Sequence, residues 1–501
     1  MNNISTVIIQ AGGQGIRLRP YTMNKPKCLV PLNGKPLLEY SLEKFKNCNI
    51  IIITDYKSDV LESYVNTFYS QFNIKLIKTN KYGTCSGIKQ AISLINNQNP
   101  IALIWSDLIL EENIQHNIYS DIQVFTTDSF PCRYKLKKQK IIKEDTKTNG
   151  ILGLFTFKNK NILSDMQEDG SFVGQWLKNK INFSEVKIKN IKEIGTIESL
   201  NKETNKFFCR FFNQVEKQDS KIIKKCINDN FKAIHEDEKE WYKIVSSRQY
   251  KYMPKIFSYD PLTLEYIKGK QCHDSQFLED TKENIIKNIC NSLKKLHEIE
   301  KIPPDLNDIK SVYVTKACDR VKKASNLIPF IKFKYLLING KLSKNPFHQD
   351  FYEEFIKDLN SITCKNYNII HGDPTFSNIL IKNNLEAVLI DPRGSFGKTK
   401  IYGDKDYDWA KLYYSLNGNY DSINLKKYSL TINENKLQFS IKSSGWENFT
   451  DLFYELSGID KRKNILLNSS IWFSLCGYVV EDYDAINIAF LKGVELWNLI
   501  S

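Results

Sequence analysis

The sequence predicts two domains of different architecture: a doubly wound, mostly parallel α/β fold over residues 1–203, and an α+β fold over residues 204–501. In the first part, apolar runs that suit buried strands alternate with segments of helical spacing, which is typical of a parallel sheet covered by helices. In the second part, strand-like segments come first and helical segments follow, which is typical of an α+β domain. A chain of 501 residues is long enough for two or three domains.

Four apolar runs predict the strands of the first domain, and three segments with apolar residues at helical spacing predict its helices. The strands are expected at residues 4–9, 50–53, 74–77 and 101–105, and the helices at residues 37–45, 59–68 and 88–95. Ligands of such sheets bind outside the carboxyl ends of the strands. A glycine-rich turn after the first strand and Asp107 after the fourth both fall at this edge.

The second domain is expected to begin with paired strands and to continue with helices. The predicted strands are residues 207–215, 221–227, 263–269 and 387–390, and the predicted helices include residues 236–245 and 293–299. A long polar region that continues to about residue 360 is also expected to be helical.

Composition points to an ordinary globular protein. With 42% hydrophobic and 26% charged residues, the chain does not resemble a disordered or fibrous protein. Its net charge of +14 comes from lysines spread along the whole chain, which indicates a solvated surface and gives no specific sign of nucleic-acid binding; anionic small-molecule substrates would also suit it. The cysteines form no C-x-x-C motif and the histidines have no zinc-like spacing, which favours reduced thiols in a cytoplasmic protein. We expect no signal peptide and no membrane insertion.

The turn after the first strand, Ala11-Gly12-Gly13-Gln14-Gly15, has the features of a phosphate-binding loop. Glycines let the backbone approach an anion closely, and the N–H groups of the turn can point at it. Arg17 and Lys27 add positive charges ten residues apart, enough to bracket a triphosphate. The turn has neither the dinucleotide motif G-x-G-x-x-G nor a Walker sequence. Its glycines alone would be equally consistent with a tight turn.

The longer string, from Ala11 through Arg17-Leu18 and Pro20 to Pro26-Lys27, resembles the signature of the nucleotidyltransferases that make NDP-sugars and CDP-alcohols. Ile16 stands where members of that family usually have threonine. The resemblance covers about residues 4–200 and implies attack of a substrate phosphate on the α-phosphorus of an NTP, with pyrophosphate leaving. It implies catalytic roles for Arg17 and Lys27, and nucleotide binding by Ala11, Gly12, Gly13 and Gly15.

The same resemblance implies a magnesium site and a contact with the base and sugar. Asp107 would bind Mg²⁺, and Glu193, in Glu193-Ile194-Gly195-Thr196, stands where the family has a metal-binding aspartate. Without the resemblance, an aspartate after a strand is more often a turn or cap residue. Gly83 and Thr84 belong to a segment that resembles the loop beside the nucleoside. The residue that binds the acceptor phosphate is left open between Arg133 and Lys143.

A second motif lies in the other half of the chain. His371-Gly372-Asp373 is followed by Asn378 and then, after an apolar strand, by Asp391. Phosphoryl transfer to an alcohol needs a base that orients the hydroxyl group, together with oxygen ligands for Mg²⁺. These residues supply such groups at the spacing of a kinase.

This region, about residues 205–500, resembles the aminoglycoside phosphotransferases and choline kinases, which have a protein-kinase-like fold. The resemblance implies that Asp373 is the catalytic base and that Asn378 and Asp391 bind Mg²⁺. It also implies that a strand lysine, paired with a helix glutamate, holds the ATP phosphates. The candidates are Lys224 and Glu238, with Lys225 and Glu240 as competitors. A hinge that carries adenine is expected at Glu265 to Ile267.

Two departures from that family are visible. No glycine-rich loop precedes Lys224, and Asp391 is followed by Pro392-Arg393-Gly394, where choline kinases tend to have an acidic or aromatic residue. Arg393 could bind substrate or brace a loop. An aromatic cage for choline could be built from C-terminal aromatic residues, although core packing at helical spacing is the favoured explanation. These residues are Trp409, Tyr413, Tyr414, Trp446, Trp472 and Tyr478.

Together the two resemblances predict a bifunctional enzyme. The second domain would phosphorylate a sugar, polyol or amino alcohol with ATP, and the first would couple the phosphate to an NMP, making a precursor for surface polysaccharide such as capsule. CTP is the preferred nucleotide, with UTP and dTTP open. One alternative is a choline or ethanolamine kinase joined to a phosphocholine cytidylyltransferase, and another is a regulatory nucleotide-binding protein without catalysis. The sequence leaves the alcohol and the oligomeric state open.

Overall fold

The computed structural model describes residues 4–79, 83–180, 182–204, 213–227, 232–274 and 277–500. The chain divides into two compact units. The first consists of Met1–Lys206 with Glu481–Asp484, and the second of Phe207–Val480 with Ala485–Ser501. The domain boundary expected after residue 203 lies beside residues 205–212, which are outside the described ranges, so its position stays a prediction. Within those ranges, no helix has both the length and the apolar character needed to cross a membrane.

The strands of the first unit are β1 (Thr6–Gln10), β2 (Pro31–Leu32), β3 (Lys35–Pro36), β4 (Asn49–Thr54), β5 (Ile74–Lys78), β6 (Ile101–Trp105), β7 (Leu108–Leu110), β8 (Ile122–Thr127), β9 (Cys132–Lys137), β10 (Lys140–Thr146), β11 (Gly150–Phe157), β12 (Ser184–Lys187) and β13 (Ile191–Glu193). Its helices are α1 (Leu37–Lys44), α2 (Ser58–Phe68), α3 (Cys85–Ser93) and α4 (Ile197–Glu203).

The first unit is built on a mixed sheet whose main path runs β10-β9-β11-β6-β1-β4-β5. The strands β6, β1, β4 and β5 are parallel, and α3 packs its buried Ile88 and Ala91 against the same core as Ile8 of β1. The α/β prediction for this domain is therefore confirmed. The antiparallel strands β9 and β10 were not predicted, since their alternating and charged sequences carry no long apolar run.

Strand β1 is buried along Thr6–Ile9 because it lies between β4 and β6, with helices available to both faces of the sheet. This central position places the following glycine-rich turn at the carboxyl edge of the sheet. Strand β6 has the predicted bounds, Ile101–Trp105, and carries the chain to Asp107 at the same edge. The short ladder of β13 with β7 pairs Glu193 with Leu108, next to Asp107.

The strands of the second unit are β14 (Asn213–Gln218), β15 (Lys221–Cys226), β16 (Ile256–Tyr259), β17 (Leu262–Glu265), β18 (Gly269–Gln271), β19 (Lys301–Ile302), β20 (Tyr335–Ile338), β21 (Lys341–Lys344), β22 (Tyr367–Ile369), β23 (Ile379–Lys382), β24 (Ala387–Leu389), β25 (Tyr402–Gly403), β26 (Tyr428–Asn433) and β27 (Lys436–Ile441). Its helices are α5 (Lys232–Ser247), α6 (Glu279–His297), α7 (Leu306–Lys310), α8 (Lys316–Ala324), α9 (Gln349–Asn360), α10 (Lys405–Leu416), α11 (Tyr420–Asn424), α12 (Thr450–Ser457), α13 (Lys461–Leu475) and α14 (Tyr483–Trp497).

A four-stranded antiparallel sheet in the order β14-β15-β17-β16 precedes the main helical part of the second unit. Helix α5 follows β15 in the chain and buries Glu238, Trp241 and Val245 on one face. Most of the strand expected at residues 207–215 lies outside the described residues; β14 begins at Asn213.

The polar region expected to be helical up to residue 360 contains an unexpected hairpin. Strands β20 and β21 are joined by Asn339 and Gly340, whose φ angles are 48° and 83°. Two consecutive positive φ angles are those of a type I′ turn, for which Asn-Gly is the preferred pair. The expectation of a continuous helical region was therefore wrong, and the Asn-Gly pair is the sequence signal that predicts the hairpin.

Candidate active sites

The glycine-rich turn is fixed at its base and open at its centre. The N–H of Ala11 donates to Ile53 O at 2.8 Å, which ties the turn to β4. Gly15 has a φ of 63°, and its carbonyl accepts a hydrogen bond from Thr22 Oγ1 at 2.9 Å. A Cβ added at Gly13 would meet no atom within 4 Å. A phosphate could therefore approach the backbone at Gly13 without displacing protein atoms.

Lys27 and Asp107 meet beside this turn. The ammonium group of Lys27 forms an ion pair with Oδ2 of Asp107, and both side chains are largely buried. The other carboxylate oxygen, Oδ1, is buried and makes no hydrogen bond with any described residue. A buried carboxylate oxygen without a partner is costly unless a ligand supplies one. This oxygen is therefore suited to binding a cation.

Glu193 adds a second carboxylate to the site. Its Oε1 lies 3.7 Å from the guanidinium of Arg17, whose side chain is 55% exposed. Burial raises the pKa of Glu193, and the nearby charge of Asp107 raises it further. Arg133 is close enough for its charge to act on Glu193 in the opposite direction.

The described residues contain no group of three or more histidine, cysteine, aspartate or glutamate side chains that could hold a metal ion. Mg²⁺ does not need such a group, because it commonly binds one or two carboxylates together with substrate phosphates and water. Asp107 has an unpartnered oxygen, and its negative charge acts unfavourably on the nearby carboxylate of Glu193. A cation between the two carboxylates would relieve that repulsion, so both residues fit the requirement. Of the two candidates for the acceptor phosphate, Arg133 acts electrostatically on this site, whereas Lys143 lies on exposed β10.

Gly83 and Thr84 are held against a distant segment of the same unit. Gly83 has a φ of 92°, and a Cβ there would lie 2.3 Å from the carbonyl oxygen of Gly170. That oxygen accepts hydrogen bonds from the N–H groups of Thr84 and Cys85, while Thr84 Oγ1 accepts one from Phe172 N at 2.8 Å. The hydroxyl group of Thr84 does not cap α3. The Thr84 carbonyl accepts from Gln10 Nε2, which connects this segment to the end of β1.

In the second unit, Lys224 lies between two carboxylates. Its Nζ is 2.6 Å from Glu238 Oε1 and 2.6 Å from Asp391 Oδ1, and Lys224 and Glu238 are both 5% exposed. Burial lowers the pKa of Lys224, but the charges of Asp391 and Glu238 outweigh it, so the net shift is upward. The competitors lie at the surface: Lys225 is exposed, and Glu240 pairs with Lys400 at 3.0 Å.

Asp373 is contacted by an amide and by a lysine. Asn378 Nδ2 donates to the backbone carbonyl of Asp373 at 2.8 Å and to its Oδ2 at 3.2 Å. Because the amide nitrogen faces Asp373, the amide oxygen of Asn378 is the atom available to a metal ion. Lys411 Nζ lies 3.1 Å from Asp373 Oδ1. The sequence analysis missed Lys411, although it stands between Tyr407 and Tyr414 at helical spacing.

A buried aspartate fixes the loop that carries Asp373. Asp408 accepts hydrogen bonds from the backbone N–H groups of His371 and Gly372 at 2.8 and 2.7 Å, and it lies 2.9 Å from His297 Nε2. His371 Nε2 lies 2.9 Å from the carbonyl of Ile390, next to Asp391. These contacts connect the two segments on which the predicted base and metal ligands lie, and they give Asp408 and His297 positioning roles.

Asp391 itself has a backbone φ of 55°. Left-handed backbone at a residue other than glycine costs about 1 kcal/mol or more, and it is found preferentially at functional sites. Its ion pair with Lys224 is one of the contacts that hold it in place.

The segment predicted as a hinge lies beside a cleft of about 640 Å³. Glu265 N and Tyr266 N donate to the carbonyls of Lys255 and Ser220, whereas no described residue accepts a hydrogen bond from Ile267 N. Lys382 and Asn384 line the opposite side of the cleft, whose lining includes neither Lys224 nor Asp391. Adenine could therefore use the backbone of Ile267.

The C-terminal aromatic residues lie mostly in the core. Trp409, Trp446 and Trp472 are at most 1% exposed and pack against other rings. Tyr478 is 41% exposed, with Arg320 5.9 Å from its ring. The structure therefore favours core packing over a choline cage for these tryptophans.

Residues 6–123 match the family described as nucleotidyl transferase. The first unit contains a nucleotidyltransferase domain. The match covers the glycine-rich turn, Arg17, Lys27 and Asp107, and it ends before Glu193. The residues after position 123, which include all of the second unit, lie outside this match.

Similar proteins include the mannose-1-phosphate guanyltransferase of Emericella nidulans, 30% identical over 115 residues, which are 22% of this chain and 32% of that protein. The CTP:phosphoglutamine cytidylyltransferase of Campylobacter jejuni is 30% identical over 109 residues, 20% of this chain and 43% of that protein. The choline-phosphate cytidylyltransferase of Streptococcus pneumoniae is 44% identical over 78 residues, 15% of this chain and 32% of that protein. The chain thus spans less than half the length of these relatives.

Among solved structures, HddC from Yersinia pseudotuberculosis complexed with GMP-PN is 24% identical, covering 40% of this chain and 98% of that one with a TM-score of 0.35.

Proposed function

We propose that the chain is a bifunctional enzyme that acts on small-molecule substrates in the cytoplasm. Residues 204–501 transfer the γ-phosphoryl group of ATP to the hydroxyl oxygen of a small alcohol, releasing ADP. The nucleotidyltransferase domain, residues 1–203, then joins that phosphate to the α-phosphorus of an NTP and releases pyrophosphate. The product is an NDP-activated alcohol for surface polysaccharide such as capsule.

The observation that carries the first activity is the unpartnered Oδ1 of Asp107 beside Lys27. In this proposal Asp107 and Glu193 hold Mg²⁺, which would neutralise charge on the triphosphate. Arg17 and Lys27 bind the phosphates, and the backbone of Gly12, Gly13 and Gly15 cradles them. Preorganised positive groups of this kind stabilise the charge that develops as pyrophosphate leaves.

The observation that supports the second activity is the position of Lys224 between Glu238 and Asp391. In a phosphoryl-transfer site a lysine held in this way binds the ATP phosphates, while carboxylate and amide oxygens hold Mg²⁺. Asn378 and Asp391 supply such oxygens, and Asp373 orients the hydroxyl group of the acceptor. The segment from Glu265 to Ile267 binds adenine in this proposal.

CTP is the preferred nucleotide because two of the similar proteins are named as cytidylyltransferases. The guanyltransferase relative keeps GTP among the nucleotides to be tested, with UTP and dTTP. The choline-phosphate cytidylyltransferase supports the alternative of a choline kinase joined to a phosphocholine cytidylyltransferase. A purely regulatory protein is less well supported, because each unit by itself brings together charged groups suited to its own reaction.

The test is to incubate the full chain with Mg²⁺, ATP, one NTP and a panel of alcohols, and to measure ADP and pyrophosphate separately. We expect one alcohol to give both products, with pyrophosphate depending on ATP unless the corresponding phosphoester is supplied. Binding of nucleotides with neither product formed across the panel would support the regulatory alternative.

A further inference from the structure

Four basic side chains interact electrostatically with Tyr407, which lies beside Lys411 and its partner Asp373, and we call them the basic cluster: Lys316, Arg320, Arg393 and Lys411. Lys411 pairs directly with Asp373. Arg393 is held next to the Asp373 loop, because its N–H donates to His371 O at 2.8 Å and its Cβ would lie 2.9 Å from a Cβ at Gly372.

The other two members lie one helical turn apart at the start of α8. Residues i and i+4 of a helix share a face, so Lys316 and Arg320 project from the same side. Arg320 is anchored by a hydrogen bond from its guanidinium to Ser474 O at 2.8 Å. Lys316 is partly buried, and its ammonium group makes no hydrogen bond or ion pair with a described residue.

The positive charges of the basic cluster affect the pKa of Tyr407, a buried residue of α10. Burial raises the pKa of the Tyr407 hydroxyl, yet the net shift is downward because the charges of Lys316 and Lys411 outweigh it. The pKa of Lys316 is lowered: Tyr407 raises it, but burial and the charge of Arg320 lower it by more. The cations are therefore close enough to repel one another.

Few carboxylates balance this charge. Among described residues, Asp373 is the carboxylate that forms an ion pair with the cluster. Asp237 acts on Arg393 at longer range, but its own ion pair is with Lys400 at 3.9 Å. Holding several like charges together in partly buried positions destabilises a fold unless an anion binds there. The basic cluster thus has the chemistry of an anion-binding site beside the predicted catalytic base.

We propose that the alcohol phosphorylated by the second unit also carries an anionic group, a carboxylate or a phosphate, and that Lys316, Arg320 and Arg393 bind that group. This inference rests on the proposed kinase function. In the reaction the alcohol oxygen forms a bond to the γ-phosphorus of ATP while the bond from that phosphorus to the β–γ bridging oxygen breaks. ADP leaves, and Asp373 takes the hydroxyl proton.

The basic cluster disfavours choline and ethanolamine, because a cationic head group would enter a region of like charge. It equally disfavours a neutral polyol, which could not replace the missing counter-charge. Recognition of the anion would position the hydroxyl group, since binding energy from a remote group lowers the entropic cost of reaction.

A panel of matched acceptors tests the inference on the full chain. ADP formation is measured with glycerol and ribitol, with their carboxylate counterparts glycerate and ribonate, with glycerol 3-phosphate, and with choline. We expect at least one anionic acceptor to have a kcat/KM about tenfold or more above that of its neutral counterpart. Comparing the carboxylates with the phosphate ester tells which anion is preferred.

The outcomes separate the inference from the proposed function. If a neutral acceptor or choline has a kcat/KM equal to that of the anionic acceptors, the inference is overturned and the kinase proposal stands. Absence of ADP with every alcohol, together with nucleotide binding, would overturn both.

Lys316→Gln tests the assigned site, with Lys322→Gln as the matched control because Lys322 lies exposed on the same helix. With the preferred anionic acceptor, Lys316→Gln is expected to raise the KM for that acceptor about tenfold and to leave the KM for ATP within about twofold. Lys322→Gln is expected to change neither. A rise in the KM for ATP alone would assign the cluster to the nucleotide phosphates and overturn the inference. Arg393→Gln provides a second variant, and an unchanged circular dichroism spectrum checks that each variant is folded.

Discussion

Lys411 Nζ lies 3.1 Å from Oδ1 of Asp373, so the predicted catalytic base is paired with a cation from a helix that begins more than thirty residues further along the chain. Burial lowers the pKa of Lys411, but the charge of Asp373 outweighs it, and the net shift is upward. Lys411 therefore stays charged near neutral pH. It can fix the orientation of the carboxylate and compensate charge on the transferring phosphoryl group.

Replacing Lys411 with glutamine is expected to lower the kcat for ADP formation about 100-fold, because one preorganised charge at the reacting group is lost. Nucleotidyl transfer from a supplied phosphoester should continue. Lys405→Gln is the control, since Lys405 lies exposed at the start of the same helix. Equal loss in both variants would contradict a specific role for Lys411. Steady-state kinetics of both activities make the comparison.

Lys224→Met and Lys225→Met form a second pair of variants. Lys224 is buried between two carboxylates, whereas its neighbour is exposed. Removing the cation from a buried ion pair typically costs about 3–5 kcal/mol, so Lys224→Met should unfold at lower denaturant concentration and lose ADP formation. Lys225→Met should match the original protein in both respects. If ADP formation is retained in Lys224→Met but lost in Lys225→Met, the ATP-binding lysine is Lys225 and the assignment to Lys224 is wrong.

The two activities should be separable. Asp373→Asn should abolish ADP formation while leaving pyrophosphate release from a supplied phosphoester, because it removes the proposed base and keeps the size of the side chain. Asp107→Ala should do the reverse, since it removes the carboxylate that pairs with Lys27. Loss of both activities in either variant, with circular dichroism unchanged, would argue against two independent sites.

Gly195→Ala tests the position of Glu193. A Cβ at residue 195 would lie 2.3 Å from Glu193 Oε1 and 3.1 Å from the guanidinium of Arg17. Both atoms are ends of flexible side chains, so the methyl group should displace them with little loss of stability. Pyrophosphate release should fall about tenfold or more, because misplacing a catalytic group by about 1 Å is enough for such a loss. A variant with full activity would remove Glu193 from the site.

The stability of the first unit should depend on pH through His116. This histidine is 3% exposed, and its ring nitrogens lie 2.9 Å from Thr156 Oγ1 and 2.7 Å from Ser120 O. Burial lowers the pKa of His116 from its usual value near 6.5. The unfolded chain therefore binds a proton that the folded chain excludes, so stability is present above about pH 6.5 and is lost as pH falls below it.

His116→Gln removes this titration. The decrease in Tm between pH 7.5 and pH 5.5 should therefore be smaller for the variant than for the original protein, by about 2–4 °C if the contribution is near 1 kcal/mol. Thermal unfolding followed by circular dichroism at both pH values measures it. Equal decreases in the two proteins would show that other groups set the pH dependence.

Local sequence patterns were sufficient for the parallel half of the first domain. The strand at Ile101–Trp105 has the predicted bounds, because a short continuous apolar run between Pro100 and Ser106 is typical of a buried strand. The antiparallel strands lack that signal: β9 and β10 alternate and carry many charges. Their existence depends on pairing between segments rather than on the composition of either.

The contacts in the candidate sites also fall into those that the sequence predicts and those that depend on the fold. Residues within one motif, such as Asp373 and Asn378, could be grouped from their spacing alone. The approach of Lys411 to Asp373 and of Arg17 to Glu193 depends on long-range packing, which no spacing rule encodes. Lys224 forms ion pairs with two carboxylates, and only the fold distinguishes that lysine from Lys225, its exposed neighbour.

The contact between Gly83 and Gly170 couples two positions that are far apart in the chain. No side chain fits at residue 83 while the carbonyl of residue 170 stays where it is, and that carbonyl also accepts hydrogen bonds from the N–H groups of Thr84 and Cys85 at the start of α3. A side chain at residue 83 would thus have to displace the Gly170 carbonyl, and natural variants should keep glycine at residue 83. Insertions between these two positions are tolerable only where they leave this contact undisturbed, which restricts where the intervening chain can lengthen.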